Sequence, residues 1–163
     1  MREQDPLLFK YSEIKEQGGL SVKLTPSPAL FSDAFERPGA LKKLELDLVF
    51  SVGGDSILLE GKVRAELDLE CSRCGDPVTR SFEDSFDEVY PDSLEYIDTR
   101  EVIRETSALL APIKVLCSES CKGRCPVCGA NRNRVSCGCR LDMPGQFDAL
   151  RGLELKKPEK PGK

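Results

Sequence analysis

Six cysteines lie between residues 117 and 139, with the spacing C-x3-C-x3-C-x2-C-x8-C-x-C. Within this run, Cys125–Gly129 has the sequence CPVCG, and an earlier segment, Cys71–Gly75, has the same form, CSRCG. Two thiolates three residues apart can bind one metal ion if the chain between them turns tightly, and the glycine that follows tolerates the positive φ of such a turn. Because the chain contains no histidine, a tetrahedral zinc site would use sulfur or carboxylate ligands.

All eight cysteines are candidate zinc ligands, and two arrangements of them remain open. In one, Cys125 and Cys128 share a single ion with one cysteine before them and one after them. In the other, Cys71 and Cys74 join two cysteines of the C-terminal run, so that eight thiolates form two sites of four. The single residue between the last two cysteines favours one of them being spare or serving a second site. The candidate metal ligands are Cys71, Cys74, Cys117, Cys121, Cys125, Cys128, Cys137 and Cys139.

Eight cysteines also allow disulfide bonds, so the compartment matters. The N-terminus, MREQDPLLFK, is charged and lacks the apolar core of a signal peptide. No apolar run approaches the roughly 20 residues of a transmembrane helix. We therefore expect a reducing compartment, the cytoplasm, where C-x2-C pairs usually bind metal. A hydrophobic content of 39% with no tryptophan predicts a lean core, which a structural metal would stabilise.

Three long segments are predicted as strands. The first two alternate apolar and polar residues with the period of two that is typical of a strand with one buried face, and the third offers Phe82, Phe86 and Tyr90 as core contacts. The three segments run from Leu44 to Val52, from Ile57 to Glu70 and from Val78 to Tyr90. Tight turns at Gly53–Ser56 and Cys71–Pro77 join them. We expect an antiparallel meander that strands from the N-terminal segment extend into a curved sheet or partial barrel.

One helix is predicted from Thr99 to Leu110, and Pro112 explains why it ends there. Asp98 followed three residues later by Glu101 resembles a capping box. An apolar stripe along the helix should pack on the sheet. This stripe contains Val102, Thr106, Leu109 and Leu110, with Ile103 at its edge.

The predicted fold class is α+β: an antiparallel β meander or partial barrel with one packed helix, followed by a small Cys-rich zinc-binding module. The expected units are a β-rich body over residues 1–111, the module over residues 112–155 and a disordered tail over residues 156–163. A second short helix is expected within the module, near Pro144–Leu153.

The cysteine run is basic, whereas the rest of the chain is acidic. Residues 112–140 contain six lysines and arginines against one acid, Glu119, a net charge of about +5 in a chain whose total is −4. Such a unit can bind a phosphate backbone, but the same cations can also offset the negative charge of thiolates around zinc. The candidate RNA-binding residues are Lys122, Arg124, Arg132 and Arg134.

Residues 82–98 contain seven acids and no basic residue. A solvated strand face and loop would have this composition, and so would a binding surface for a basic partner such as a ribosomal protein. The acids are Glu83, Asp84, Asp87, Glu88, Asp92, Glu95 and Asp98.

The segments CSRCGDPV, LCSESCKGRCPVCGANRN with a later CGC, and a closing Phe-Asp-Ala-Leu-x-x-Leu together resemble the bacterial YceD family. The resemblance covers roughly residues 44–155, and the CKGxCPxCGxNxN run is specific. The family is associated with accumulation of the large-subunit ribosomal RNA, and its gene often lies beside that of a small zinc-binding large-subunit ribosomal protein. Some members keep the first C-x2-C pair and lack much of the second cluster. Arg124 and Arg132 stand where members often carry leucine, which makes this module more basic than usual.

The resemblance implies a role in large ribosomal subunit biogenesis but not metal binding, which varies among members. Together with the cysteine spacing, it favours a non-enzymatic zinc-binding protein with large-subunit rRNA or a basic ribosomal protein as its partner. The alternative is a rubredoxin-like iron protein for electron transfer, because the CxxCG and CPxCG pairs are also the form of that iron site. Hydrolytic catalysis is disfavoured, since the chain lacks histidine as a general base and a closed four-thiolate site has no open position for water. We expect no catalytic residues, no small-molecule substrate and no membrane partner.

Overall fold

The computed structural model describes residues 5–35 and 40–140. The predicted helix near Pro144–Leu153 and the predicted tail lie outside these residues. In chain order the elements are β1 (Leu8–Lys10), α1 (Tyr11–Gln17), β2 (Gly19–Leu24), a 3₁₀ helix (Pro28–Ala34), β3 (Leu41–Gly53), β4 (Ser56–Glu70), β5 (Pro77–Pro91), β6 (Tyr96–Asp98) and α2 (Arg100–Leu110).

The main sheet has four antiparallel strands in the order β2–β3–β4–β5, so each strand pairs with its neighbour in the chain. This order is the meander that the sequence predicts, and β2 is the expected N-terminal addition to it. The β3–β4 hairpin turns at Gly54, whose φ of 57° would strain another residue. Strand β5 lies at one edge of the sheet, and within the described residues it pairs with β4 alone.

One face of the sheet forms the core. Alternate side chains of β4 are fully buried there, as the period of two predicts. The buried row consists of Ile57, Leu59, Val63, Ala65 and Leu67. Gly61 interrupts this row because the ring of Phe86 on β5 occupies the space of a side chain: a Cβ on Gly61 would lie 2.1 Å from that ring.

Helix α2 and the 3₁₀ helix pack against the core face of the sheet. Ile103 is fully buried, and Thr106, Ser107 and Leu110 are buried beside it. The prediction that Leu109 belongs to this face is wrong, since its side chain is 79% exposed. Six residues of α-helix place Leu109 about 120° around the axis from Ile103. No helix within the described ranges is long and apolar enough to span a membrane.

The start of α2 differs from the predicted capping box. Thr99 is the N-cap residue, so Glu101 stands at the second helical position and pairs with an arginine one turn later. The Asp98 carboxylate instead accepts the backbone N–H of Arg100 at 3.0 Å. The buried Thr99 donates both its N–H and its hydroxyl to the carbonyl of Leu7, at 3.1 and 3.0 Å. These bonds join the N-terminal segment to the helix, next to the pairing of β1 with β6.

Candidate metal centre

The eight cysteine sulfurs form two groups of four, and within each group all sulfurs lie within 4.8 Å of one another. The first cysteine set is Cys71, Cys74, Cys117 and Cys121, and the second cysteine set is Cys125, Cys128, Cys137 and Cys139. In the first set, the Sγ atoms of Cys71 and Cys121 are 3.7 Å apart and those of Cys74 and Cys117 are 3.6 Å apart. A regular tetrahedron with Zn–S bonds of about 2.3 Å has S···S edges of about 3.8 Å. Both sets could therefore hold a tetrahedral metal ion.

This grouping matches the arrangement with two sites of four thiols. The arrangement in which Cys125 and Cys128 share an ion with a preceding cysteine does not match this grouping. The expectation that one of Cys137 and Cys139 is spare or serves a second site does not match it either, because both belong to the second set. A one-residue spacer can place both side chains on the same side of the chain, as it does in a strand. A rubredoxin-like site would need the CxxCG and CPxCG pairs at one ion, whereas the structure places them in different sets.

The two C-x2-C-G segments form the same turn. In Cys71–Gly75, the glycine N–H donates to the carbonyl of the first cysteine at 2.8 Å, and that cysteine's N–H donates to the carbonyl of Asp76 at 2.8 Å. In Cys125–Gly129 the corresponding bonds are again 2.8 Å, with Ala130 as the acceptor. Both glycines have φ of 73°, in the region where a side chain would be strained. The sequence prediction of a tight turn ending in a left-handed glycine is confirmed at both places.

A third turn completes the first set. It follows α2, and the N–H of Cys121 donates to the carbonyl of Ser118 at 3.1 Å. Gly123 then turns the chain with φ of 71°. A Cβ on Gly123 would lie 3.1 Å from the carbonyl oxygen of Arg73, so the third turn packs closely on the first. The first set thus joins the β4–β5 connection to the segment after α2.

The two sets differ in exposure. Cys71, Cys74 and Cys121 are at most 4% exposed, and Val78 and Leu116 pack against them. In the second set, Cys125 is buried, Cys137 is half-buried, and Cys128 and Cys139 are exposed. The first set therefore lies inside the protein and the second at its surface.

Thiols within a set shift one another's pKa. The backbone N–H groups of Cys128 and Val127 point at Cys125 and lower the pKa of its thiol to about 6. The adjacent Cys128 thiol raises the pKa of Cys139 to about 12. Burial raises the pKa of Cys71, but surrounding backbone N–H groups outweigh burial and lower it to about 6. Like charges at this distance keep some thiols protonated, and a cation among them favours thiolates instead.

Two asparagines of the NxN motif connect the sets. The Asn133 side chain donates to Sγ of Cys121 at 3.3 Å, which lowers the pKa of that thiol, and it accepts the N–H of Lys122 at 2.8 Å. The Asn131 side chain donates to the Asp76 carboxylate at 3.0 Å. The asparagines belong to the family motif, but the sequence alone indicates no role for them because their partners are distant in the chain.

Two of the four candidate RNA-binding residues also connect the sets. The Arg124 guanidinium donates to the carbonyl of Cys74 at 2.6 Å, and the Arg134 guanidinium pairs with Asp76 at 3.1 Å. Lys122 and Arg132 are exposed, and no side-chain hydrogen bond or ion pair is found for them within the described residues.

The structure adds two basic residues that the sequence prediction missed. Arg73 donates to the carbonyl of Cys121 at 3.0 Å, and Arg80 donates to the carbonyl of Cys117 at 3.5 Å. Both come from the β4–β5 region, so only the long-range pairing of the cysteines brings them to the module. Their position inside and just after CSRCGDPV was the available signal.

All seven acids of residues 82–98 are exposed, along β5, the loop that follows it and the end of β6. Glu83 pairs with Arg64 at 2.9 Å, and Asp98 pairs with Arg100. No ion pair is found for the other five within the described part of the chain. This surface therefore keeps most of its negative charge uncompensated.

Two relatives show what the chain is similar to. It is 32% identical over 74 residues to large ribosomal RNA subunit accumulation protein YCED homolog 1, chloroplastic, of Arabidopsis thaliana, across 45% of this chain and 23% of that protein. It is 32% identical over 108 residues to an uncharacterized protein of Mycobacterium tuberculosis, across 56% of this chain and 51% of that protein. The chain thus spans about half, or less, of the length of these relatives. No solved structure matches it significantly.

A family model provides the assignment. The model described as Large ribosomal RNA subunit accumulation protein YceD matches residues 59–154, which is more than half of the chain. The matched region contains β5, α2 and all eight cysteines of the two sets. This chain therefore belongs to the YceD family.

Proposed function

We propose that this chain is a non-enzymatic zinc-binding protein that promotes accumulation of large-subunit ribosomal RNA during biogenesis of the large ribosomal subunit. The observation that carries the ribosomal part is the family match over residues 59–154. The name of the Arabidopsis relative, a large ribosomal RNA subunit accumulation protein homolog, supports the same role in rRNA accumulation. We place this activity in the cytoplasm, where thiols stay reduced and available to metal.

Zinc is the metal that the donor sets favour. Structural zinc sites commonly use four cysteine thiolates in a tetrahedron, and each set offers four sulfurs within 4.8 Å of one another. When bound, the ion would fix the turns that carry its ligands. Metal analysis of freshly purified protein should find two zinc ions per chain, one for each set. Iron in a red protein would instead support electron transfer.

The non-enzymatic part of the proposal is based on the same chemistry. A zinc ion with four thiolate ligands has no open position for water or substrate, so it acts as a structural ion. The chain contains no histidine, which is the commonest general base. We therefore assign the cysteine sets to folding and to presentation of a binding surface.

The metal module is the surface that we propose for rRNA. Residues 112–140 carry a net charge of about +5, and Arg73 and Arg80 add to it from the β4–β5 region. Lys122 and Arg132 extend into solvent, and the Arg134 side chain is 71% exposed. Cations of this kind bind phosphates without reading sequence, so the module would recognise the rRNA backbone.

A basic ribosomal protein is the second candidate partner. The specific observation in its favour is the uncompensated acidic surface along β5 and its following loop. Such a surface attracts lysine- and arginine-rich segments. This partner would bind the β-rich body instead of the cysteine module.

Crosslinking in cells tests the proposal. The full chain is crosslinked to its partners, and both RNA and protein are identified. We expect large-subunit rRNA as the main RNA partner, with crosslinks that map to residues 112–140. If only proteins are crosslinked, the acidic surface would be the binding site and rRNA would not be the partner. Deletion of the gene should also reduce large-subunit particles more than small-subunit particles, and an equal loss of both would contradict the ribosomal assignment.

A further inference from the structure

The first cysteine set is supported by elements that have their own core. Cys71 follows directly on β4, whose alternate side chains are fully buried. The N–H of Ser72 donates to the carbonyl of Val115 at 2.8 Å, and the N–H of Val115 donates back to the Ser72 hydroxyl at 3.2 Å. This exchange brings the segment after α2 against the β4–β5 turn. These bonds hold the two halves of the first set against each other.

Within residues 5–35 and 40–140, no strand or helix carries a cysteine of the second set or directly adjoins one. All its ligands lie between residues 125 and 139, where the structure shows turns and one isolated β-bridge. The hydrogen bonds that connect residues 124–139 to earlier residues end on the first set or beside it. The acceptors in the earlier residues are the carbonyls of Arg73, Cys74 and Gly123, the carboxylate of Asp76 and the sulfur of Cys121, and Asn133 accepts the N–H of Lys122. The second set is thus connected to the body through the turns that carry the first set.

The two cysteine sets also differ in solvent exposure, and the second set is the more exposed. A chelator in solution reaches Cys128 and Cys139 directly, because both are exposed. Cys71, Cys74 and Cys121 are at most 4% exposed and Cys117 is half-buried, so an ion bound to the first set should be released more slowly, after local opening of the protein.

We propose that the two sites bind zinc in a fixed order: the first set binds first and retains its ion, and the second set binds an exchangeable ion only on a closed first set. The proposal rests on the metal binding of the proposed function. Coupling between the sites is reciprocal, so an ion in either set strengthens the other by the same factor. The order arises because only the first set is preorganised by the sheet and α2. The basic surface at Lys122 and Arg132 then forms last and depends on zinc supply.

Zinc release from the full-length, zinc-loaded chain tests the order. A colorimetric chelator in excess should remove two ions in two phases of equal amplitude, with rates that differ by about tenfold or more. Cys128→Ser should remove the fast phase and leave one ion per chain. A single phase for both ions, or one ion per wild-type chain, would overturn the proposal. Wild-type protein without bound zinc would instead overturn the proposed function.

A matched pair of cysteine variants tests the dependence of one site on the other. Cys74→Ser removes one ligand of the first set, as Cys128→Ser does of the second. We expect Cys74→Ser to lose both ions, although the four ligands of the second set are unchanged. Native mass spectrometry counts the ions, and far-UV circular dichroism monitors the sheet. If Cys74→Ser retains one ion with the second set intact, the sites are independent and the proposal is wrong.

A third variant keeps all eight thiols. Asn131→Ala removes the bond to Asp76, which connects the second set to the first, and the side-chain acceptor of the Asn133 N–H. Partners of this kind typically change metal affinity by about 10-fold or more, so the fast phase should accelerate by about 10-fold while the slow phase stays unchanged. Acceleration of the slow phase alone, or of neither phase, would contradict the proposed support of the second set.

Discussion

Replacing Lys122 and Arg132 together with glutamine should weaken rRNA binding and reduce its salt dependence. Both side chains are exposed, and neither forms an ion pair or side-chain hydrogen bond within the described residues. Arg124 and Arg134 are less informative, because they hold the Cys74 carbonyl and Asp76 and their loss would also disturb the cysteine sets. The double variant therefore removes two charges and leaves the contacts between the cysteine sets in place.

The expected magnitude follows from counterion release. Each phosphate contact contributes about 0.7 (single strand) to 0.9 (duplex) to the slope of log K against log salt concentration. Losing two contacts should lower the slope by about 1.4 to 1.8. If the affinity at 1 M salt is unchanged, that slope corresponds to a loss of roughly 25- to 60-fold in affinity at 0.1 M salt.

Fluorescence anisotropy with a labelled fragment of large-subunit rRNA measures this slope between about 0.05 and 0.3 M salt. Lys15→Gln combined with Lys62→Gln is the matched control, because these lysines are exposed on the body and the charge change is the same. We expect the control to keep the wild-type slope. An unchanged slope in the module variant, or an equal decrease in both variants, would refute rRNA binding by the module.

Three further predictions concern stability and metal. Gly61→Ala should lower the free energy of unfolding by about 1 to 3 kcal/mol, because its Cβ meets the Phe86 ring, and Phe86→Leu should restore part of this loss in urea titrations. Asn133→Ala should weaken zinc binding by about 10- to 100-fold in chelator competition, since it removes the donor to a ligand sulfur; an unchanged affinity would show that the N–H···S bond is unimportant. Cys128→Ser, or removal of zinc, should increase proteolysis within residues 112–140 while the sheet remains protected, and equal cleavage of both parts would contradict a separate metal module.

Local patterns in the sequence predicted most of the main sheet. Strands β3 and β4 follow from alternation over many residues, β5 follows from its apolar residues at every fourth position, and Gly75 and Gly129 follow from the turn that a C-x2-C pair requires. Leu109 was assigned to the wrong face, because an apolar residue on a helix need not face the core when the centre of the buried stripe is set by tertiary contacts.

The grouping of the cysteines could not be predicted, because it depends on long-range contacts. Cys71 and Cys121 are 50 residues apart, and no local pattern indicates that they meet. The same contact decides the roles of Arg124 and Arg134, which the sequence counts only as positive charges. The sequence therefore indicates eight candidate ligands, and the fold of the β4–β5 connection divides them into two groups.

The position of β5 at the edge of the sheet has a consequence for self-association. An open edge strand of this length can pair with the same strand of a second molecule and start aggregation. Acidic side chains on both faces of β5 would bring like charges together in such a pair. In the middle of the strand, the Asp84 carboxylate also accepts the N–H of Ser85 at 2.8 Å, which removes one donor from an incoming strand. The acidic composition of β5 thus disfavours pairing of this edge with the same edge of a second copy.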